Sequence, residues 1–295
     1  MAFTAKDVMK LREMTGCGMM DCKKALTEAD GDMDKATEIL REKGMAKAVK
    51  KSGRIAAEGL VDIVVENGVG AIIEVNSETD FVAKNEEFVS MVKDFAKQVI
   101  AENPADVDAL LASTIGGATV KEILTEKIAK IGENMNLRRF ARFEGNVVDY
   151  IHMGGKIGVM VKVEADLSNE AAVAAAKDVC MQIAAMNPTY MDKSVVPAAD
   201  VEHEKNIIIA QMKEDPKNAN KPENILEKMV EGKIGKFFEE SSLLQQKFVK
   251  DDKTSVEKYL AANGVKLIDY VRFEKGEGLE KKSDNFAEEV ASMTK

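Results

Sequence analysis

An α+β fold is the expectation, and three observations carry it. The stretch GLVDIVVENGVGAIIEVN at 59–76 returns in altered form as GNVVDYIHMGGKIGVMVKVE at 145–164. Each reads as two strands about a glycine turn, Asn67-Gly68 in the first and Gly154-Gly155 in the second, which is a hairpin pattern. Each is followed by an amphipathic helix, from Asn85 and from Asn169, and each unit closes with a strand ending in Arg-Phe-Glu, at 137–144 and 265–274. The duplication predicts two three-stranded antiparallel sheets, each with helices on one face.

Residues 4–50 precede this core and predict a three-helix unit. Thr4 is a candidate N-cap for a first helix with Val8, Leu11 and Met14 facing inward, ended by Thr15-Gly16. A glycine-flanked loop, Gly16-Cys17-Gly18-Met19-Met20, then leads to a second helix capped by Asp21 and burying Ala25 and Leu26. Asp30-Gly31-Asp32 breaks that helix, and a third carries Met33, Ala36, Ile39 and Leu40 before Gly44. Met19 and Met20 suit either a small core or an adaptable contact patch. The basic stretch from Lys43 through Lys47, Lys50, Lys51 and Arg54 is expected to be a solvated linker.

Alignment of the two copies locates their differences. Asp62 falls on Asp149, Val75 on Val163, and Lys93-Asp94 on Lys177-Asp178. The first copy is thereby four residues longer between its second strand and its helix, in the segment SETDFV at 77–82. The second copy is longer after its helix, within about 186–235, where two helices joined by the polar loop DPKNANKP predict a helical hairpin. Ile207, Ile208, Ile225, Leu226 and Met229 are its expected seam. A short C-terminal helix is expected to place Phe286, Val290 and Met293 on one stripe, which must dock to be stable. The predicted divisions are 1–54, 55–144, 145–280 with the inserted hairpin, and 281–295.

Composition narrows the function. The 295 residues hold 42 Lys+Arg against 51 Asp+Glu, a net charge of −9, which argues against nucleic-acid binding as the main activity. No apolar run reaches the ~18 residues of a membrane span, and the first residues, MAFTAKDVMKLREM, lack a signal-peptide core. Three cysteines suggest reduced thiols and a cytoplasmic protein. Cys17 and Cys22 lack zinc or redox spacing, and Cys180 sits in an apolar helix pattern. His152 reads as a surface or edge-strand residue and His203 as a solvated helix position. No nucleotide-binding loop occurs, and no close pair of carboxylates stands out. No cofactor or metal is expected, and the chain reads as one that works by contact.

Thr79-Asp80-Phe81-Val82 is the segment that fits least with a bland connection. Loop insertions are usually polar because they are exposed, yet this one carries a phenylalanine beside a carboxylate. Either Phe81 tucks into the core with Thr79 or Asp80 capping the helix, or the ring is an exposed wedge for a partner's pocket.

The run LREMTGCGMMDCKKALTEADGDMDKATEILREKG resembles the N-terminal signature of the elongation factor Ts family, and EVNSETDFVAKNEEF resembles its second signature. KIGENMNLRR at 130–139 and RFEKGEGLEKK at 272–282 agree with it, so the likeness spans essentially the whole chain. Cys17 stands where the family commonly has alanine. The resemblance implies an N-terminal module of the ubiquitin-associated type, a duplicated core, a protruding coiled coil that dimerises in some members, and a C-terminal helical module. It further implies a guanine-nucleotide exchange factor without covalent chemistry, whose partner is the GTPase elongation factor Tu. Thr79, Asp80, Phe81 and Val82 would dislodge Mg²⁺ from that partner. Met19, Met20, Ile131, Gly132, His152 and the stripe of Phe286, Val290 and Met293 would be further contacts. The competing expectation is a scaffolding module that binds without accelerating nucleotide release; a hydrolase or metalloenzyme lacks the titratable groups it would need.

Overall fold

The first three helices form because short caps and glycine breaks punctuate three apolar stripes. In the computed structural model, which describes residues 3–15, 17–218 and 221–280, α1 (Ala5–Thr15) is capped at Thr4, whose hydroxyl accepts weakly from the Asp7 amide at 3.4 Å. Val8 and Leu11 are buried, but Met14 is exposed, contrary to the expected inward position. α2 (Met19–Glu28) starts two residues earlier than Asp21, with Gly18 at its N-cap. Asp21 is therefore in the first turn, where it pairs with Lys47 at 2.8 Å instead of capping. Asp30 and Gly31 adopt positive φ, and Asp32 caps α3 (Met33–Lys51) through the Asp34 and Lys35 amides.

α3 does not stop at Gly44. It continues through the basic stretch, because Gly44 is the point where α3 meets α7 (Val120–Ile131): a Cβ there would lie 3.3 Å from that of Ala129. The expected solvated linker is thus two further turns of helix, with Ala48 packed on the first core.

The first sheet has the order β1 (Glu58–Glu66), β2 (Val69–Ser77), β5 (Met135–Glu144), all antiparallel. Between β2 and β5 come α4 (Asp80–Ala83), α5 (Glu86–Glu102), α6 (Val107–Ala112), the two-residue strands β3 (Thr114–Ile115) and β4 (Ala118–Thr119), and α7. The second sheet has the order β10 (Lys266–Glu274), β7 (Ile157–Glu164), β6 (Val147–His152). Its connection holds α8 (Glu170–Met186), α9 (Ala198–Glu214), α10 (Glu223–Ser241), the short strands β8 (Lys247–Phe248) and β9 (Asp251–Ser255), and α11 (Val256–Ala262). The repeated unit therefore includes a small two-stranded ladder and a helix before the closing strand, neither of which the alignment of hairpins revealed.

One face of each sheet is covered by its own helices: α5, α6 and α7 on the first, α8 and α11 on the second. The opposite faces meet in a third layer, where Val61 and Ile72 pack with Val147, Met160 and Phe273. Gly70 of β2 and Gly158 of β7 permit this approach. A Cβ at Gly70 would stand 2.6 Å from Met160 and Val147, and one at Gly158 would stand 2.6 Å from Val61. Such distances are inside van der Waals contact, so glycine is required at both positions.

The register corrects one equivalence. The first hairpin pairs Glu66 with Val69 across a two-residue turn, whereas the second pairs His152 with Ile157 across four residues. Asp62 therefore opposes Ile73, but Asp149 opposes Met160, one row off from Val161, the counterpart of Ile73. A one-residue change in a strand exchanges its faces, so Asp62 and Asp149 are not equivalent positions. Burial pushes both carboxyls up from the usual range.

The inserted helices α9 and α10 do pair, and the second runs to Ser241, past the expected limit near 235. Ile208, Met212 and Ile234 are buried between them, with Leu226 and Met229 half-buried alongside. Ile207 and Ile225 are exposed, not part of the seam: residues adjacent to a buried position on a helix lie about 100° away from it. Cys22 and Cys180 are buried, and desolvation pushes both thiols up. Phe286, Val290 and Met293 lie outside the described residues. No described helix is long and apolar enough to cross a membrane.

Candidate functional site

A single helical turn decides where Phe81 points. Thr79 has an extended backbone and caps α4, its hydroxyl accepting from the Val82 amide at 3.4 Å. Val82 and Ala83 are buried against the first core. Successive residues on a helix lie about 100° apart, so with that face committed to the core Phe81 is turned outward. It is 81% exposed, more than any other large apolar side chain among the described residues. The two readings left open for this segment therefore divide: Thr79 is the cap, and Phe81 is not in the core. Asp80 accepts from Lys84 at 2.6 Å, and that bond lowers its carboxyl from the usual range.

The turn is held from outside. Glu133 accepts from the Thr79 amide at 2.9 Å and from the Thr79 hydroxyl at 2.7 Å. Beside it, Glu78 accepts from the Asn134 amide at 2.6 Å and from Arg54 at 3.4 Å. The Asn134 side chain donates to the Arg54 carbonyl at 2.8 Å. Lys51, near the end of α3, donates to the Ile128 carbonyl of α7 at 3.4 Å. Gly132 ends α7 in a left-handed conformation, which turns the chain toward Glu133. One junction thus joins the end of α3, the end of α7 and the Phe81 turn.

This geometry sorts the expected contact residues. Thr79, Asp80, Phe81 and Val82 share the junction with the half-buried Ile131 and Gly132. Met19 and Met20 begin α2 and are 46% and 63% exposed, so they are surface and not core. His152 belongs to the edge strand of the second sheet, where its Nδ1 is 2.9 Å from the Tyr150 hydroxyl. Glu133, Glu78 and Asn134 were missed. Glu133 lies 54 positions from Thr79 and Asn134 lies 56 from Glu78, too far for a local pattern to join them.

A second polar centre ties the repeats together. Glu74 of β2 is fully buried and accepts from Arg139 at 2.6 Å, Arg138 at 3.1 Å, Asn76 at 3.0 Å and the Gly276 amide at 2.8 Å. Burial pushes its carboxyl up, but the Gly276 amide, Asn76 and Arg139 outweigh this and hold it below the usual range. Arg139 also lies 4.3 Å over the Phe273 ring of the second repeat. Lys275 reaches back to pair with Glu58, so residues 274–277 strap the second repeat to the first.

Among the described residues no group of three or more His, Cys, Asp or Glu side chains is placed to hold a metal ion. The arrangement is a rigid α+β body that presents an aromatic ring on a pinned turn, a form suited to recognition by contact. The family model for elongation factor TS matches residues 78–277, which include the Phe81 turn, Glu133 and both closing strands. The chain belongs to that family and so has a role in translation elongation. The family's members are nucleotide exchange factors and do not catalyse covalent chemistry.

Proposed function

We propose that this protein binds the GDP-bound form of elongation factor Tu and accelerates GDP release, with Phe81 as the wedge. The observation that carries the reading is an almost fully exposed phenylalanine held on a turn whose every flank is bonded or buried. Exposing such a ring is unfavourable by about 1.5–3 kcal/mol relative to burial, so its presentation makes sense where a partner covers it. The ring enters between helices of the GTPase near its bound Mg²⁺, and Asp80 lies at the rim of the contact. Displacing the metal weakens the hold on the GDP phosphates, GDP leaves, and GTP binding then releases the factor. Because the factor favours the nucleotide-free state, its binding and that of GDP weaken each other by the same factor.

Met19 and Met20, Ile131 and Gly132, His152, and Phe286, Val290 and Met293 supply further contacts in this reading. The helical hairpin α9–α10 offers a surface for a homodimer. No contact with nucleic acid or membrane is involved, and the protein acts in the cytoplasm.

The test is stopped-flow release of a fluorescent GDP from elongation factor Tu at rising concentrations of this protein. A rate that climbs and saturates supports exchange; a flat rate despite measurable binding overturns it in favour of a scaffolding role. Phe81→Ala is expected to raise the barrier to release at saturation by the about 2–4 kcal/mol typical of a central contact, while leaving the unfolding free energy within about 0.5 kcal/mol of wild type. Normal exchange by that variant would remove the wedge assignment.

A further inference from the structure

We propose that Glu133 is a positioning residue for nucleotide release, acting through Thr79 to fix the direction of the Phe81 ring; the inference rests on the exchange reading above. The α4 turn does not support itself. It has four residues, and the backbone bonds around Phe81 are long, Ala83 to Thr79 at 3.4 Å and Lys84 to Phe81 at 3.3 Å; only the bond behind the ring, Asn85 to Val82, is short at 2.9 Å. Its cap bond, Val82 amide to Thr79 hydroxyl, is also 3.4 Å. At its start the Ser77 hydroxyl donates to the Thr79 carbonyl at 3.0 Å, and the two shortest bonds, from the Thr79 amide and hydroxyl, both end on one carboxylate, Glu133, at 2.9 and 2.7 Å.

The chemistry of those bonds sets the cap. By accepting from the Thr79 hydroxyl, Glu133 leaves the Thr79 oxygen lone pairs for the Val82 amide. By taking the Thr79 amide, it fixes the backbone one residue before the turn begins. Bonds to an ionised acceptor are roughly twice as strong as neutral ones, so this is the firmest hold on the segment. The second repeat has no remote carboxylate there. The corresponding connection is held by the Asn146 side chain, which donates to the Ala165 carbonyl at 2.7 Å, and by Asp166, which accepts from the Ser168 amide at 2.9 Å and its hydroxyl at 2.7 Å, and it carries no exposed aromatic. A remote carboxylate is present only where a ring must be aimed.

A wedge that wanders would still reach its pocket but would spend little time in the productive orientation, which lowers the rate at saturation more than the affinity. The experiment compares GDP release by elongation factor Tu with full-length wild type, Glu133→Ala, Phe81→Ala, the double variant and Glu133→Gln. Glu133→Ala is expected to lower the saturating rate about tenfold, with less than about a threefold change in the half-saturating concentration. On the Phe81→Ala background the same change is expected to have almost no further effect, since the group it positions is gone. Glu133→Gln keeps an oxygen for the Thr79 amide and an NH₂ for its hydroxyl, and is expected to recover most of the loss. Hydrogen exchange at the amides of residues 79–84 is expected to quicken in Glu133→Ala and in the double variant, and not in Phe81→Ala.

Equal losses from Glu133→Ala with and without Phe81 would overturn the assignment, as would a wild-type rate in Glu133→Ala. A wild-type protein that fails to accelerate release at all would remove the exchange reading and this assignment with it. Accelerated release with additive losses would remove the assignment alone.

Discussion

The two repeats share a frame and differ in what is attached to it. Gly70 and Gly158 open the same gap between the sheets, and the closing strands carry the same bulge, at Arg138 and at Ile268. Both long helices begin at asparagine, Asn85 and Asn169, and both end at a left-handed asparagine, Asn103 and Asn187. The first repeat departs from its copy by the short Phe81 turn, the second by the α9–α10 hairpin. Both additions leave at the ends of the long helices or strands, where chain can be added without disturbing a packed layer. The difference teaches that the sheets are the common scaffold and that the two copies diverge at its margins.

Glu74 is where the symmetry of the scaffold itself breaks. Its counterpart in β7 is the half-buried Lys162, whereas Glu74 is sealed among two arginines, Asn76 and the strap at Gly276. Removing one partner of a buried ion pair costs about 3–5 kcal/mol because the remaining charges lose their compensation. Glu74→Ala is expected to fall in that range by denaturant unfolding, and Lys162→Ala below about 1 kcal/mol. Equal effects would mean that the strap is not the asymmetric lock between repeats. The pH dependence has a definite sign. Since the folded carboxyl lies below the usual range, its contribution is present above the unfolded value of about 4.3 and is lost as pH falls through the folded value. Glu74→Ala is expected to flatten the acid limb of the stability profile.

The two inter-sheet glycines sharpen the comparison at smaller magnitude. Gly70→Ala and Gly158→Ala each force a methyl into space held by Val147 and Met160 or by Val61 and Ile72. Overpacking of this kind costs about 1–3 kcal/mol, and the two values are expected to agree if the repeats bear equally on the shared layer. Gly70→Ala meets both the β-branched Val147 and Met160 at 2.6 Å, whereas Gly158→Ala meets only Val61 at that distance and Ile72 at 3.1 Å, so any inequality should place Gly70 higher. The reverse order, measured by chemical denaturation, would mean that the second sheet is the stiffer of the two.

The sheets, both long helices and the helical pair were legible because alternation, glycine turns and asparagine caps act over a few residues. Packing between distant segments was not. Gly44 reads as a helix end until Ala129 is placed beside it, and Asp62 reads as the twin of Asp149 until the turn lengths fix the pairing. Ile207 and Ile225 are apolar enough for a seam, but only the contact between the helices shows that Met212 and Ile234 face inward beside Ile208. At the candidate site the anomaly of a phenylalanine in an inserted segment was visible, and Thr79 was one of two candidate caps. Glu133 was not, since one glutamate among many carries no local sign that its carboxylate will grip a backbone 54 positions away.

The smallest effect separates scaffold from site most cleanly. Asn85 accepts from two amides, Glu87 at 2.9 Å and Phe88 at 3.3 Å, whereas Asn169 accepts from Ala171 alone at 3.0 Å. Losing an N-cap side chain costs about 0.5–2 kcal/mol, so Asn85→Ala is expected near 1 kcal/mol and Asn169→Ala at roughly half of that. The Asn85 backbone also closes the Phe81 turn, its amide donating to Val82 at 2.9 Å, but alanine keeps that bond. If the turn is aimed by Glu133 and not by the helix behind it, Asn85→Ala lowers the unfolding midpoint and leaves the saturating rate of GDP release at the wild-type value. A fall in that rate from Asn85→Ala, with none from Asn169→Ala, would move the control of the ring from the carboxylate to the start of α5.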